Sequence, residues 1–377
     1  MEPVRFGLVG YGFGGRYFHA PLIASAAGCE LVAVATGSAQ RREQVAAELP
    51  GTATVAGLEE LAAAGVRAVA ISTPADTHTA LTERALRLEL AVVCDKPFAL
   101  DARAARGSAE LAEELGLALS PYQNRRWDSE FRTVRRLVEE GALGEVTRFE
   151  SRFERFAPQA GPPAAGGGTL LDFGSHLVDQ ALVLLGPVES VYAELRRRES
   201  GLDDDVFVAL THRGGARSHL WGSWSQAAPG PRYRVTGTTG SCVIVDGDGQ
   251  EEALVAGRTP DDDTWGTEPP GFRARLHRGD TDEPLRPERG RWDTFYPAFA
   301  AAVRGEGPVP VAARDAVATA TVLDAGGGRP PARAGRRGGG GGGRPAPAAA
   351  RAGLPPAPGL AAALRRATTG EVVRIGG

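Results

Sequence analysis

The first 120 residues alternate short apolar runs with longer stretches of helical periodicity, which is typical of a parallel sheet covered by helices. The predicted strands are Val4–Val9, Leu31–Ala35, Ala68–Ser72, Ala91–Cys94 and Leu117–Ser120. The predicted helices between them are Arg41–Glu48, Leu58–Ala64, His78–Leu88 and Ala102–Leu115. The pattern therefore predicts an α/β fold that begins with a Rossmann domain over residues 1–121, with ligands at the carboxyl ends of the strands.

The pattern changes from about Thr147 to longer alternating strands, which indicate a largely antiparallel sheet. These strands are predicted at Val146–Phe153, Val188–Arg196, Val206–His212, Arg217–Ser225 and Tyr233–Gly237. A helix is predicted over Thr169–Leu185, after the flexible entry Gly166–Gly168. We expect residues 122–325 to form a C-terminal α/β domain with a large, mostly antiparallel, open-faced sheet that helices cover on one side.

The end of the chain interrupts this pattern. Arg314–Ala325 predicts a helix, but residues 326–362 are a low-complexity run of glycine, proline, alanine and arginine. Residues 363–377 again predict a helix end followed by a strand. Joining Ala325 to Ala363 would give one continuous helix, so we interpret residues 326–362 as an insertion or an out-of-frame patch that should be poorly packed.

Composition excludes several classes of function. A net charge of −3, with 43 basic and 46 acidic residues, disfavours a nucleic-acid partner. Cys29, Cys94 and Cys242 are far apart and indicate reduced thiols. No long apolar span or cationic leader is present, so we expect a cytoplasmic protein without a membrane partner. No spacing of histidines, cysteines and carboxylates predicts a metal site.

The first predicted strand runs into a G-x-G-x-x-G motif at Gly10, Gly12 and Gly15. Such glycines permit a tight turn and let the backbone approach a pyrophosphate, so we predict a dinucleotide cofactor. A structural glycine-rich turn is the alternative. The residues of this loop expected to contact the cofactor are Gly10, Gly12, Phe13, Gly14 and Gly15.

The end of the second strand carries Thr36, Ser38, Arg41 and Arg42 but no carboxylate for the ribose hydroxyl of NAD. Hydroxyl and guanidinium groups there favour the 2′-phosphate of NADP, with NAD as the alternative. Arg41 and Arg42 can equally be solvated helix residues.

Lys96 is the only lysine in the chain, among 42 arginines. A lysine ammonium is compact and can change its pKa, whereas a guanidinium stays protonated, so this exception indicates chemistry. The strand ends that should meet at one sheet edge add further candidate cofactor contacts. These are Thr73, Pro74, His78, Asp95 and Lys96.

The predicted helix Thr169–Leu185 places Asp172 and His176 four residues apart on one face, with Asp179 three residues beyond. A carboxylate beside an imidazole can fix its tautomer and favour its protonated state, as a proton acceptor at an alcohol needs. A helix-stabilising surface pair is the alternative.

Other segments offer candidate substrate contacts. The polar and aromatic residues after the fifth strand can form a cleft wall or a plain domain linker. The substrate candidates are Tyr122, Asn124, Arg125, Trp127 and Tyr233. The stretch Glu251–Gly266 can be a lid that carries Trp265 over the cleft, or a solvated loop with one anchored ring.

Taken together, the glycine loop with Phe18–Leu22, the Asp95–Pro97 strand end and the Gly167–Asp179 helix resemble the glucose–fructose oxidoreductase/inositol dehydrogenase/rhizopine-catabolism (Gfo/Idh/MocA) family. The similarity covers residues 4–325 and the last dozen, and is greatest to its NADP-dependent scyllo-inositol dehydrogenase branch. Two departures stand out: NADP-using members often have arginine where Gly37 stands, and the family's usual residue before the lysine is glutamate, where this chain has Asp95.

The resemblance implies that Lys96, Asp172 and His176 are catalytic and that the open sheet makes a homodimer or homotetramer. The expected reaction is hydride transfer between NADP and a secondary hydroxyl of a cyclitol or sugar. His176 would remove the proton, Asp172 would orient the imidazole and Lys96 would stabilise the alkoxide. Alternatives are another sugar dehydrogenase, a dinucleotide-sensing regulator without turnover, and a decayed or mis-framed gene product that folds poorly.

Overall fold

The computed structural model describes residues 2–327 and 372–375. Its N-terminal part confirms the predicted Rossmann arrangement, a parallel sheet in the order β3-β2-β1-β4-β5-β6. The strands are Val4–Val9 (β1), Cys29–Ala35 (β2), Ala53–Val55 (β3), Ala68–Ile71 (β4), Ala91–Cys94 (β5) and Leu119–Pro121 (β6). Because β3 has only three residues, it shows no readable period in the sequence. The strand order reverses at β1 and β4, which places a ligand crevice at their carboxyl ends.

Helices follow the strands as the apolar spacing predicts. They are Ala20–Ala24 (α1), Ala39–Glu48 (α2), Leu58–Ala63 (α3), His78–Arg87 (α4) and Ala102–Glu114 (α5). Side-chain caps set two of the helix starts, since Ser38 accepts a hydrogen bond from the Arg41 amide and Asp101 from the Ala104 amide. A π-helical turn, Gly15–His19, precedes α1.

The C-terminal part carries a nine-stranded sheet on which helices pack from one side. Its first helices are Ser129–Glu139 (α6), Thr169–Asp172 (α7) and Gly174–Leu185 (α8). Its strands are Val146–Glu154 (β7), Val188–Arg197 (β8), Asp203–His212 (β9), Arg217–Ser223 (β10), Tyr233–Gly237 (β11), Ser241–Ile244 (β12), Ala274–Arg278 (β13), Thr281–Pro284 (β14) and Val373–Arg374 (β15).

The order of this sheet is β14-β13-β12-β11-β7-β10-β9-β8-β15. Every pair is antiparallel except β7 with β10. Buried and half-exposed residues alternate along β9, as in a sheet with one covered face. The core of this domain therefore lies between that face and helices α6 and α8, around Phe131, Phe149 and Leu177.

The predicted single helix Thr169–Leu185 is divided at Phe173 into α7 and α8. The amide of His176 bonds to the carbonyl of Phe173, three residues back, while the carbonyl of Asp172 accepts from the Ser175 hydroxyl instead. The glycines before α7 are also more constrained than predicted. Gly168 has a φ of +107°, and a Cβ there would collide with the Asp203 carboxylate that caps the Leu170 amide.

The remaining helices are Gln250–Val255 (α9), Phe295–Val303 (α10) and Ala313–Ala325 (α11). Helix α9 forms within the stretch that the sequence offered as a lid. Trp265 is buried in a core cluster with Phe295 and does not line the catalytic cleft, so the lid hypothesis is wrong for this ring.

The predicted domains place α10 and α11 within residues 122–325. In the structure α10 packs on the Rossmann sheet, and α11 packs between α5 of the Rossmann part and α8 of the C-terminal part. Tyr296 and Phe299 of α10 contact Phe6 of β1, with ring centroids 5.5 and 6.2 Å apart. Ala316 of α11 lies in the same core cluster as Ala105 of α5. The apolar face of α10 covers a Rossmann surface that the first 121 residues leave open, whereas α11 also contributes Val322 and Leu323 to the C-terminal core.

The predicted low-complexity segment 326–362 lies outside the described residues except for Gly326 and Gly327, and the predicted helix end from residue 363 lies outside them as well. The predicted terminal strand appears as β15, whose Val373 pairs with Val191 at the edge of the large sheet. No helix within residues 2–327 and 372–375 is long and apolar enough to cross a membrane.

Candidate active site

A cleft of about 440 Å³ lies between the carboxyl edge of the Rossmann sheet and the C-terminal domain. Most predicted site residues converge on it from separate strands, loops and helices. The predicted residues that line it are Gly10, Gly12, Phe13, Gly14, Arg41, Thr73, Pro74, Asp95, Lys96, Tyr122, Asn124, Arg125, Asp172 and His176.

The glycine loop closes tightly against the end of β4. Gly10 has a φ of +96°, and a Cβ there would collide with the carbonyl oxygen of Ser72. A Cβ on Gly14 would lie 2.6 Å from the Ser72 hydroxyl, and one on Gly15 would collide with the Gly10 carbonyl. These positions therefore require glycine, and the loop has the shape that lets a backbone approach a pyrophosphate.

A second pocket of about 380 Å³ continues the cleft past Gly10, Arg41 and Thr73 toward Thr36. Arg41 lies over the glycine loop, its guanidinium 3.7 Å from the position of a Cβ on Gly12. Arg42 points elsewhere and donates to the Thr36 carbonyl at 3.2 Å. Ser38 does not line either pocket, because its hydroxyl caps α2. Of the two arginines, Arg41 is therefore the one placed to meet a phosphate.

Lys96 reaches from the end of β5 to Asp172, with which it forms a close ion pair. Its ammonium also lies 3.5 Å from the Asp172 carbonyl oxygen. The Lys96–Pro97 peptide bond is cis. The pair spans the two domains and keeps a compact cation in the cleft.

Asp95 links the start of the Lys96–Pro97 segment to the end of β4 and to His19. Its carboxylate accepts from the Lys96 amide at 2.8 Å and from the Ser72 hydroxyl at 3.0 Å, and lies 3.4 Å from Nε2 of His19. Burial would raise the pKa of Asp95, but His19, Lys96 and His78 outweigh it and lower that pKa to about 2. Asp95 is therefore a carboxylate that braces the glycine loop and the lysine strand end together.

His176 is buried at the wall of the cleft and is oriented by Gln123, not by Asp172. The Gln123 amide nitrogen donates to the Ser175 carbonyl at 3.3 Å, so its oxygen faces Nδ1 of His176 at 3.2 Å. This oxygen can only accept, so Nδ1 carries the proton and Nε2 is left as the basic nitrogen. The prediction that Asp172 orients His176 is wrong, because Asp172 pairs with Lys96 and Nδ1 of His176 faces Gln123.

The surroundings of His176 lower its pKa, whereas the sequence predicted a neighbouring carboxylate that would favour the protonated ring. Burial is the largest cause that lowers its pKa well below the ordinary value, and the charges of Lys96, Arg125 and Arg232 lower it further. The imidazole is therefore neutral in the folded protein, which is the form that accepts a proton. Asp179 serves a different purpose, since it forms a two-bond ion pair with Arg126 at 2.6 and 2.8 Å.

The substrate end of the cleft has an aromatic wall, and the sequence indicates only its Phe153–Phe156 segment as a candidate substrate contact. Phe153 stacks on Phe173 at 4.4 Å between centroids, and Phe173 stacks on Trp224 at 5.1 Å. Glu251 of α9 bridges Arg125 and Arg155 at 2.6 and 3.4 Å across this wall. Phe153 lies on β7, Phe173 between α7 and α8, Glu251 on α9 and Trp224 directly after β10.

Several predicted site residues do not line the cleft. Tyr233 is buried in the C-terminal core, where it donates to Gln180 at 2.8 Å and stacks on Phe149. Trp127 packs on Phe295 between the domains. His78 is buried behind the cleft wall. Within the described ranges, no cluster of three or more potential ligands can hold a metal ion.

Residues 4–123 match a family described as an oxidoreductase family with an NAD-binding Rossmann fold, and residues 131–243 match the GFO/IDH/MocA C-terminal domain. The chain is 36% identical over 336 residues to the uncharacterized oxidoreductase YdgJ of Escherichia coli (strain K12), which covers 86% of this chain and 96% of that protein.

Two further similarities involve Bacillus subtilis. The chain is 31% identical over 336 residues to the scyllo-inositol 2-dehydrogenase (NADP(+)) IolW of strain 168, covering 86% of this chain and 93% of that protein. The solved structure of the oxidoreductase yvaA superposes with a TM-score of 0.81 at 31% identity, covering 86% of this chain and 96% of that one.

Proposed function

The chain belongs to the Gfo/Idh/MocA family of oxidoreductases, and on this premise we propose that it transfers a hydride between NADP and a secondary hydroxyl of a cyclitol or sugar. Membership of this family indicates a dehydrogenase that uses a nicotinamide cofactor. We propose scyllo-inositol as the first substrate to test, because IolW carries that activity in its name. An aldose or another sugar is the second candidate.

The observation that carries this proposal is the meeting of Lys96 and His176 in one cleft. A cation from a Rossmann strand end and a neutral imidazole from the other domain line the same space, together with Asp172. Such a pair serves the oxidation of an alcohol, since one group takes the proton and the other stabilises the oxygen that is left. A sensor without turnover has no need of this arrangement.

In alcohol oxidation, Nε2 of His176 would take the hydroxyl proton, so that the O–H bond breaks and an N–H bond forms. The Gln123 amide oxygen holds the imidazole in the tautomer that permits this. The ammonium of Lys96 would hold the alkoxide, while Asp172 keeps Lys96 in place. When bound, NADP supplies the hydride acceptor at its nicotinamide ring. In carbonyl reduction the same groups act in the opposite direction.

Preference for NADP is supported by Arg41. Its guanidinium lies over the glycine loop and lines the continuation of the cleft, and no carboxylate lies within 4 Å of it among the residues that the structure describes. A 2′-phosphate there would gain charge-assisted hydrogen bonds. IolW, whose name specifies NADP, supports the same choice.

A polyhydroxylated ring is supported by the combination of an aromatic wall and paired charges. Phe153, Phe173 and Trp224 offer a flat apolar surface for the C–H face of a ring. Arg125 and Glu251 offer several donors and acceptors for hydroxyl groups on its edge.

The experiment is a panel of inositols and aldoses, each assayed with NADP and NAD in parallel through the absorbance of the reduced nicotinamide. We expect the highest kcat/KM for a cyclitol with NADP. A protein that binds NADPH but turns over no polyol or sugar would contradict the proposal.

We also propose that the protein assembles as a homodimer or homotetramer through the open face of the large sheet. That face carries the half-buried rings of Tyr192, Phe207 and Trp221, the last two with centroids 5.2 Å apart. Trp221→Glu should yield monomers in light scattering, whereas Phe156→Glu, at an exposed ring elsewhere, should leave the assembly intact. A cytoplasmic location agrees with three cysteines that are all free.

A further inference from the structure

His78 contacts the two loops that flank the cofactor end of the cleft. It begins α4 and is 1% exposed. Its Nδ1 lies 2.8 Å from the carbonyl oxygen of Pro97, and its Nε2 lies 2.8 Å from the carbonyl oxygen of Thr73. Thr73 lines the cofactor pocket and Pro97 directly follows Lys96.

Both partners of this ring are backbone carbonyls, which accept hydrogen bonds and cannot donate them. A neutral imidazole has a single N–H, so it can satisfy only one of the two oxygens. The lone pair of its second nitrogen would then face the lone pairs of a carbonyl oxygen at 2.8 Å, an unfavourable contact for a buried polar group. Only the imidazolium donates to both.

We infer that His78 is a buried imidazolium that acts as a positioning residue, holding the Thr73–Pro74 segment against Lys96–Pro97. The inference rests on the proposed function, because Lys96 is the group that it positions. One ring thereby fixes the distance between a wall of the cofactor pocket and the cation that meets the substrate.

The surroundings of His78 agree with a positive charge. Burial alone would lower its pKa, but Cys94, Asp95 and the Pro97 carbonyl outweigh burial and raise the pKa to about 9. A His pKa above its unfolded value stabilises the fold fully below about pH 6.5, and this contribution is lost as the pH rises through about 9. The link between the two loops should therefore persist at neutral pH and weaken in alkali.

The chain contains a matched comparison in His212, another fully buried histidine. Its Nδ1 lies 2.8 Å from the Gly186 carbonyl, and its Nε2 lies 2.8 Å from the Ser218 hydroxyl. A hydroxyl can donate, so a neutral ring satisfies both contacts. Burial accordingly lowers the pKa of His212. In both histidines each ring nitrogen lies 2.8 Å from its partner. We expect His78 to be charged and His212 to be neutral, because the partner of Nε2 is a carbonyl in the first and a hydroxyl in the second.

The charge is tested on the full-length protein by ¹⁵N NMR of the histidine rings, with signals assigned from His78→Gln and His212→Gln. At pH 7.5 both ring nitrogens of His78 should give the protonated signature, and His212 should give the signature of one protonated and one bare nitrogen. A neutral His78 at that pH would overturn the inference, whatever the enzyme turns over.

The positioning role is tested through Lys96, whose position as the only lysine gives a single signal after selective lysine labelling. In the wild type this signal should inflect at the pH where His78 titrates. The inflection should vanish in His78→Gln and persist in His212→Gln. A Lys96 signal that ignores His78 would overturn the role even if His78 is charged.

Turnover provides an independent readout. His78→Gln should lower kcat by up to about 100-fold, the cost of a small displacement of a reacting group, while His212→Gln keeps kcat within about twofold. Should His78→Gln not fold, His78→Asn supplies both the signal assignment and the comparison variant, and a Lys96 inflection that persists in it would overturn the positioning role. If no polyol is turned over and these measurements succeed, the proposed function fails and the inference stands.

Discussion

The side-chain oxygen of Gln123 lies 3.2 Å from Nδ1 of His176, in the position that the sequence predicted for the Asp172 carboxylate. An amide oxygen fixes the tautomer without adding a negative charge, so it does not stabilise the imidazolium. Together with burial and nearby cations, this keeps the pKa of His176 low and the ring neutral. The proposed base is therefore ready to accept a proton at neutral pH.

Gln123→Glu should move the pH dependence of alcohol oxidation. A carboxylate beside Nδ1 favours the imidazolium and raises the pKa of His176 by about 1 to 3 pH units. Since only the neutral ring accepts a proton, the acidic limb of kcat/KM should shift to higher pH by that amount. The measurement is a pH profile of kcat/KM.

The matched control for this profile is Gln159→Glu, which makes the same charge change at an exposed position. Its profile should coincide with that of the wild type. An unchanged acidic limb in Gln123→Glu would show that His176 is not the group that titrates in catalysis.

Lys96→Arg should lower kcat by about 10²- to 10³-fold, as expected for the loss of one donor to a developing oxyanion. A planar guanidinium keeps the positive charge but cannot present a compact ammonium beside Asp172. Steady-state kinetics with the best substrate measure this loss, and NADPH fluorescence titration verifies that the cofactor still binds. Arg87→Lys, at an exposed arginine paired with Glu83, makes the reverse exchange and should leave kcat within about twofold. Near wild-type turnover in Lys96→Arg would refute its role.

Arg41→Ala should reduce kcat/KM for NADP by roughly 10- to 100-fold, the value of a hydrogen bond to a charged group, and leave kcat/KM for NAD nearly unchanged. Arg42→Ala is the matched variant, because its guanidinium is held by the Thr36 carbonyl. It should change the NADP to NAD ratio much less. If Arg41→Ala and Arg42→Ala changed the NADP to NAD ratio of kcat/KM equally, Arg41 would not be the residue that binds the 2′-phosphate.

Phe299→Ala should lower the free energy of unfolding by about 3 to 5 kcal/mol, because the ring is fully buried against Phe6. The same substitution at Phe156, which is 64% exposed, should change it by less than about 0.5 kcal/mol. Urea denaturation of both variants measures the difference. Similar stabilities would argue against α10 as part of the Rossmann core.

Much of the fold was readable from local patterns. The alternation of apolar runs placed β1, β2, β4 and β5 close to their observed limits, and the glycine motif marked the turn after β1. Short elements such as β3 and β12 were missed, because three or four residues do not establish a period. The packing of α10 on the Rossmann sheet was not predicted, because an apolar helix face does not specify which sheet it covers.

The sequence by itself determined which chemistry is available and where the strand ends present it, since the single lysine, the glycine loop and the position of His176 are local features. Only the tertiary structure decided the partners. Asp172 pairs with Lys96, 76 residues away, and His176 pairs with Gln123, 53 residues away. Side-chain periodicity describes the faces of one element, whereas a pairing between elements depends on how they pack, and that packing is a property of the whole chain.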